Sequence, residues 1–277
     1  MDIDQALKLA LKRYLPSSQV PANLLQSIEY SLLAPGKRIR PRLTLNCGAM
    51  LGLGSEACMP IALALEMIHC FTLLHDDLPC MDNDDFRRGK PSNHKVFGEA
   101  VALLAGDALV TVALEVFAEA GSQVEPSCFV AGLRRFLGAL GPRGVIGGQA
   151  MELMMTEKSS LEQMRRMHEG KTGALFAAAL VVPKDFAGVS DETSGGQAIV
   201  EFARELGLAF QTADDLEDAG GKDFAPANVL HYMSADEARR IASTGLQRAQ
   251  SALTAEWGPG AQSLIMISNE VLKSLSL

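Results

Sequence analysis

"LLHDDLPCMDNDDFRRGK", residues 73–90, sets five aspartates and then two adjacent arginines almost directly after the apolar run "IALALEMIHCF", residues 61–71. Apolar residues occupy every side of that run, so it reads as a helix enclosed in an interior rather than one lying on a surface. Like charges at its end are costly. Two carboxylates 4 Å apart repel by about 1 kcal/mol in water and about 4 kcal/mol at an effective dielectric of 20. The stretch is therefore either a solvated loop or the binding place of something strongly positive.

A second acidic stretch, "FQTADDLEDAGG" at 210–221, follows the apolar stripe Ile199, Phe202, Ala203, Leu206 and Phe210. Asp214 and Asp218 are four apart and share a helix face, with Gln211 about one turn earlier on the same side. Gly220 and Gly221 are expected to stop that helix. Helix C-termini carry partial negative charge and attract Lys or Arg. Aspartates at the ends of two helices need a compensating cation.

Working outward, helix-length patterns dominate and alternating β-branched runs are nearly absent. Residues 60–77 and 99–120 are apolar nearly all round, as central bundle helices are. Segments 4–15, 22–33, 160–182, 197–218 and 234–256 are amphipathic or mixed, and Ser159 with Glu162 predicts a capping box. Gly- or Pro-bearing joints fall at 35–36, 52–54, 141–148, 183–196 and 219–227, none long enough for an interdomain linker. The expectation is an all-α fold, one large helical bundle forming a single domain over 1–277.

Composition narrows the class. The residues are 48% hydrophobic but only 5% aromatic, which suits an Ala/Leu-rich helical interior, and the net charge of −8 argues against a nucleic-acid footprint. Five cysteines without a C-x-x-C pair fit neither a zinc site nor a disulfide framework. The opening "MDIDQALKLALKRY" is acidic and amphipathic, unlike a signal peptide. No uninterrupted apolar run reaches the roughly 18–20 residues of a membrane span. These features predict a soluble, cytoplasmic protein.

Clustered carboxylates suit Mg²⁺, a hard cation that keeps several waters and is completed by substrate phosphates. Apart from His75, neither acidic core contains a histidine or cysteine for a soft metal, apart also from Cys80 beside Pro79. Asp76 and Asp82 are six apart, and Pro79 can turn the chain so that both face one point. Arg87 and Arg88 offer guanidinium forks for phosphate. "PGKRIRP" puts Lys37, Arg38 and Arg40 at a helix start, and "HEGKTGA" puts Lys171 and Thr172 between two glycines in mid-helix, which hints at a kink. His69, two turns before Asp76, shares its helix face. Together these describe a cavity for one or two diphosphates.

The segments "GKRIRP", "HDDLPCMDNDDFRRGKPSNH", "FGEAVALLAGDAL", "GGQAMEL", "GKTGALF" and "FQTADDLED" resemble, in this order, the trans-isoprenyl diphosphate synthases, the polyprenyl synthetase family, and most closely its bacterial farnesyl type. The resemblance implies an all-α homodimeric prenyltransferase with a deep central cavity in its bundle. It implies that Asp76, Asp82 and Asp214 coordinate three Mg²⁺, with Mn²⁺ as a substitute, supported by Asp77, Asp215 and Asp218. It places Arg87, Lys171 and Gln211 beside an allylic diphosphate, and Lys37, Arg40, His69 and Arg88 around isopentenyl diphosphate. Thr172 and Gln211, with Lys171, are the implied catalytic groups beside the cation. Phe71 and Thr72, just above the first motif in the chain, are the implied chain-length residues. An aromatic at 71 resembles the C15 type, with C10 and C20 products and a non-catalytic binding homologue as alternatives. The segment after Asp218, "AGGKDFAPANVLHYMSADEA", departs from the family's lysine-bearing pattern, and Glu152 stands where aspartate is commoner.

Overall fold

The computed structural model describes residues 2–217 and 225–275. Among these, thirteen α-helices follow one another: α1 (Ile3–Tyr14), α2 (Ala22–Leu32), α3 (Ile39–Met50), α4 (Ser55–Asp76), α5 (Asn93–Phe97), α6 (Glu99–Ala118), α7 (Pro126–Leu140), α8 (Val145–Glu152), α9 (Leu161–His168), α10 (Ala174–Phe186), α11 (Ser194–Glu217), α12 (Ala235–Trp257) and α13 (Gln262–Leu275). The only strands among the described residues are β1 (Phe86–Arg87) and β2 (Lys90–Pro91), an antiparallel pair. The chain is all-α, as its periodicity predicts.

The helices group into two compact units, residues 1–42 with 56–123 and residues 43–55 with 124–277. In the first, α1 buries Ala6, Leu7, Ala10 and Leu11, the i, i+1, i+4, i+5 stripe of an amphipathic helix. α4 buries nearly every residue from Ala57 to Leu74, including Glu66. That glutamate is balanced by Arg38, whose left-handed backbone (φ 47°) turns its guanidinium inward. Arg38 donates to Glu66 Oε1 at 2.5 Å, Asp4 Oδ1 at 2.9 Å, Leu32 O at 3.0 Å and Ala34 O at 2.9 Å. It is thus a tie between α1, α4 and the end of α2, with Nε, Nη1 and Nη2 all donating to protein oxygens.

Two stretches, Ser55–Asp76 and Glu99–Ser122, are long and apolar enough to cross a membrane by length and composition alone. They are the two stretches that the sequence marks as apolar nearly all round, with polar residues interrupting each run. The first is mostly buried, as a core helix of a globular protein is. The second leaves Leu103 and Leu104 of α6 exposed at 44% and 55%.

In the second unit, α11 packs against α10, α12 and α13, and α10 against α7. Where a kink is expected, between α9 and α10, residues Glu169–Gly173 form a π-helical turn. Such turns widen a helix by one residue and occur frequently at functional sites. The capping box opening α9 is Ser160 with Gln163, one residue later than expected. Ser159 instead turns back, its hydroxyl accepting from the Thr156 amide at 3.0 Å. The glycine-rich 141–148 is not only a joint, since its last four residues begin α8.

Candidate active site

In the first unit α4 ends at Asp76, where the chain reverses. Leu78 N–H bonds to His75 O at 3.1 Å, and Asp82 N–H returns to Asp76 O at 2.9 Å. The turn expected at Pro79 therefore exists and brings the two aspartates' backbones into contact. Asp76 is half-buried and Asp82 exposed, whereas Asp77 is buried. Arg87 donates through Nε and Nη2 to Asp77 Oδ1 at 2.8 and 2.5 Å, and through Nη2 to Asp84 Oδ2 at 2.8 Å. Burial is the larger influence on the Asp77 carboxyl and pushes it above its ordinary value, against the pull of Arg87.

Arg88 and Gly89 both have positive φ, 53° and 75°. This is the conformation that closes a two-residue hairpin between β1 and β2, and it separates the two neighbouring arginines. Arg87 turns to the acidic turn, while Arg88 lies by the "PGKR" loop and donates weakly to Pro35 O at 3.4 Å. His69, Arg38, Arg87, Arg88, Glu66 and Asn93 are among the walls of a cavity of about 40 Å³. Burial, then Arg40, Arg88, Arg38 and Arg87, hold the His69 imidazole well below 6.5, so it is neutral at pH 7. A neutral imidazole within an arginine cluster can donate one hydrogen bond without adding charge. Of the predicted isopentenyl diphosphate residues, His69, Arg40 and Arg88 lie in one electrostatic neighbourhood, while Lys37 is exposed.

Phe71 is buried and packs edge-on against His75, ring centres 4.8 Å apart. His75 Nε2 bonds to Leu103 O of α6 at 3.0 Å. The ring occupies the space above Gly106, where an added Cβ would lie 2.2 Å from Nε2. Thr72 donates to His69 O at 2.8 Å within α4.

In the second unit the π-helical turn carries Lys171 and Thr172. Lys171 forms an ion pair with Glu152 at the end of α8. The backbones of α8 and the turn touch, because a Cβ on Gly148 would sit 2.0 Å from Lys171 N. Thr172 Oγ donates to Gln211 Oε1 at 2.5 Å, and Gln211 Nε2 donates to Asp215 Oδ1 at 2.8 Å. Asp215 is buried, and its Oδ2 accepts from Val229 N–H at 2.8 Å. Asn228 Nδ2 donates to Asp215 O at 3.0 Å, and buried His168 bonds Ala227 O at 2.7 Å. Asp214 is half-buried on α11. Asp218, Lys222 and the expected glycine stop at 220–221 lie outside the described residues.

Among the described residues, no three histidine, cysteine, aspartate or glutamate side chains form a ready-made metal cage. Asp76 and Asp82 in the first unit, and Asp214 in the second, each offer hard carboxylate oxygens. One or two carboxylates at a time, completed by water and substrate phosphate, is the coordination that Mg²⁺ takes, so the donor set fits the ion.

Sequence reasoning did not find Asn228 or His168. The signals were faint: an Asn in "PAN", able to cap its own turn, and a single His before "EGKTG".

Residues 21–225 match the polyprenyl synthetase family. A farnesyl diphosphate synthase from Geobacillus stearothermophilus is 42% identical over 221 residues, covering 79% of this chain and 74% of its own. Geranylgeranyl pyrophosphate synthase 7 of Arabidopsis thaliana is 38% identical over 274 residues, 93% of this chain and 78% of its own. Among solved structures, an FPP/GFPP synthase from Zymomonas mobilis superposes with a TM-score of 0.84 at 32% identity, covering 98% of this chain and 97% of that one. A geranyltransferase from Legionella pneumophila gives a TM-score of 0.86 at 31% identity over 99% and 95%.

Proposed function

The chain is a prenyltransferase of the polyprenyl synthetase family, and on that premise we propose that it condenses isopentenyl diphosphate with dimethylallyl or geranyl diphosphate to give mainly farnesyl diphosphate. The observation that carries this is the acidic turn at the end of α4, held by Arg87, beside a pocket lined by His69, Arg87 and Arg88. Asp76, Asp82 and Asp214 are the proposed divalent-metal ligands, Asp77, Asp215 and Asp218 their support, and Mg²⁺ the ion, three in number, with Mn²⁺ able to replace it. The bound ions supply charge that stabilises the leaving diphosphate.

The chain's own residues do the rest. Arg87 and Lys171, each held by a carboxylate, present cations to the allylic diphosphate as its C–O bond breaks. Lys37, Arg40, His69 and Arg88 hold isopentenyl diphosphate, so that its double bond meets the allylic cation at once. Proximity and exclusion of water prevent quenching of that cation. Thr172 and Gln211 face it with oxygen dipoles. The released diphosphate, the base left beside the new cation, takes up the proton whose loss completes the new allylic product.

The chain length follows from Phe71. It lies five residues before Asp76, about 7.5 Å along the axis, and is braced by His75. A braced aromatic there favours a C15 floor over the C20 product in the name of the Arabidopsis relative. We further propose that both compact units act as one domain. The homodimer is supported by the exposed Leu103 and Leu104 on α6, and a soluble, cytoplasmic enzyme by the bacterial relatives. Asp76→Ala tests the reading: Mg²⁺-dependent condensation is lost while helical circular dichroism is kept. Unchanged turnover overturns the metal assignment.

A further inference from the structure

The hydrogen bonds of the second unit form a chain whose direction is fixed. Asp215 and Gln211 meet at 2.8 Å through Nε2, since a carboxylate only accepts and the amide must therefore present its NH₂. That leaves Gln211 Oε1 toward Thr172, at 2.5 Å. The Thr172 proton is consequently committed to Gln211, and the hydroxyl's lone pairs are what it has left to offer.

We infer that Asp215 is the positioning residue that sets Thr172 as an acceptor dipole, acting through Gln211 rather than by touching a metal ion; this rests on the proposed prenyl transfer. Three observations support it. Asp215 is 5% exposed, so its charge is little screened by water. Both its carboxylate oxygens accept from protein N–H groups, Gln211 Nε2 and Val229 N, each at 2.8 Å. And the turn after the acidic motif is fastened to it twice over, because Asn228 Nδ2 also donates to Asp215 O at 3.0 Å. Asp214 next to it has a different setting, half-buried on the helix.

The physical consequence is electronic. A carboxylate that accepts from an amide strengthens the amide oxygen as an acceptor, and that oxygen in turn polarises the Thr172 O–H. Each bond in such a chain strengthens the next by about 10–30%. The Thr172 oxygen thereby carries more negative character toward the developing allylic cation, and it cannot rotate to present its proton instead.

The test is Asp215→Asn, which keeps shape but replaces one acceptor oxygen with an NH₂ that must face a donor. Condensation kinetics with isopentenyl and geranyl diphosphates are measured against Mg²⁺ concentration. Mg²⁺ binding is read separately by calorimetry with inorganic pyrophosphate. The relay predicts that kcat falls about 10- to 100-fold, the scale typical of losing an outer hydrogen-bond partner, with both KM values and Mg²⁺ affinity unchanged. A loss of turnover that excess Mg²⁺ restores, weakened Mg²⁺ binding in calorimetry, or an unchanged kcat each overturns it. Gln211→Asn, one methylene too short to bridge Thr172 and Asp215, provides the second variant and is expected to lower kcat with Mg²⁺ affinity unchanged. If the unaltered protein condenses no substrates, the prenyl-transfer reading fails. If the unaltered protein condenses its substrates and Asp215→Asn does so with equal kcat or with weakened Mg²⁺ binding, the relay alone fails and the prenyl-transfer reading stands.

Discussion

Gly106→Ala is the substitution on which helix propensity and packing disagree most sharply. In an exposed helix, replacing glycine by alanine stabilises by about 1 kcal/mol. Gly106 sits inside α6, where the new methyl would lie 2.2 Å from His75 Nε2 and 2.5 Å from Cδ2. The ring must leave. It then gives up its bond to Leu103 O, worth about 0.5–1.5 kcal/mol, and its edge-on contact with Phe71, worth about 0.5–1.5 kcal/mol. With the ring's lost packing the cost is about 2–3 kcal/mol, so the net effect is destabilisation by about 1–2 kcal/mol. Chemical denaturation of Gly106→Ala, His75→Ala and the double variant measures it. With no ring to displace, Gly106→Ala is expected to be neutral or stabilising in the His75→Ala background, giving a coupling of about 2 kcal/mol. A stabilising Gly106→Ala in the unaltered chain, or additive variants, would refute the reasoning. Because Phe71 leans on the same ring, the product distribution should also broaden.

Arg38→Ala leaves Glu66 buried without its partner and should cost about 3–5 kcal/mol, read as a lowered Tm; a cost below about 1 kcal/mol contradicts the tie described for it. For His69, the folded state holds its proton less tightly than the unfolded chain, whose imidazole titrates near 6.5. Its contribution to stability is therefore level above about pH 6.5 and lost as pH falls below, by at most about 1.4 kcal/mol per pH unit. His69→Gln should flatten that slope in denaturation measured between pH 5 and pH 8, and an equal slope in both proteins speaks against the depressed value. Phe71→Ala should lengthen the main product by opening the cavity floor, as sized by chromatography; an unchanged product places the floor elsewhere.

The helices with strong apolar repeats were legible because burial repeats at the helical period. α4, α6, α11 and α12 all fall within a few residues of their expected limits. α7, α8 and α13 were not anticipated, and of α3 only the start in "PGKRIRP" was expected. α3 begins amid arginines that mask its apolar face, and α8 begins within a glycine-rich stretch whose glycines serve close backbone approach rather than a loop. The acidic clusters and their basic neighbours were legible as chemistry. What spacing could not reveal is which cation each carboxylate holds. Arg38 and Arg40 both act on His69, yet only the fold shows that Arg38, on a left-handed backbone, is also tied to Glu66 and Asp4. Arg87 and Arg88 are split by a hairpin turn. Asp214 and Asp215 look equivalent in sequence, and only the fold shows one fastened by Gln211 and Val229.

The most direct test of the account is a condensation assay. The purified protein is given isopentenyl diphosphate with dimethylallyl, geranyl or farnesyl diphosphate, with and without Mg²⁺, and the products are sized. A C15 product formed from the first two partners only when Mg²⁺ is present is the predicted result. No condensation with any allylic partner at saturating Mg²⁺ would contradict it and point instead to a chain that binds prenyl diphosphates without joining them.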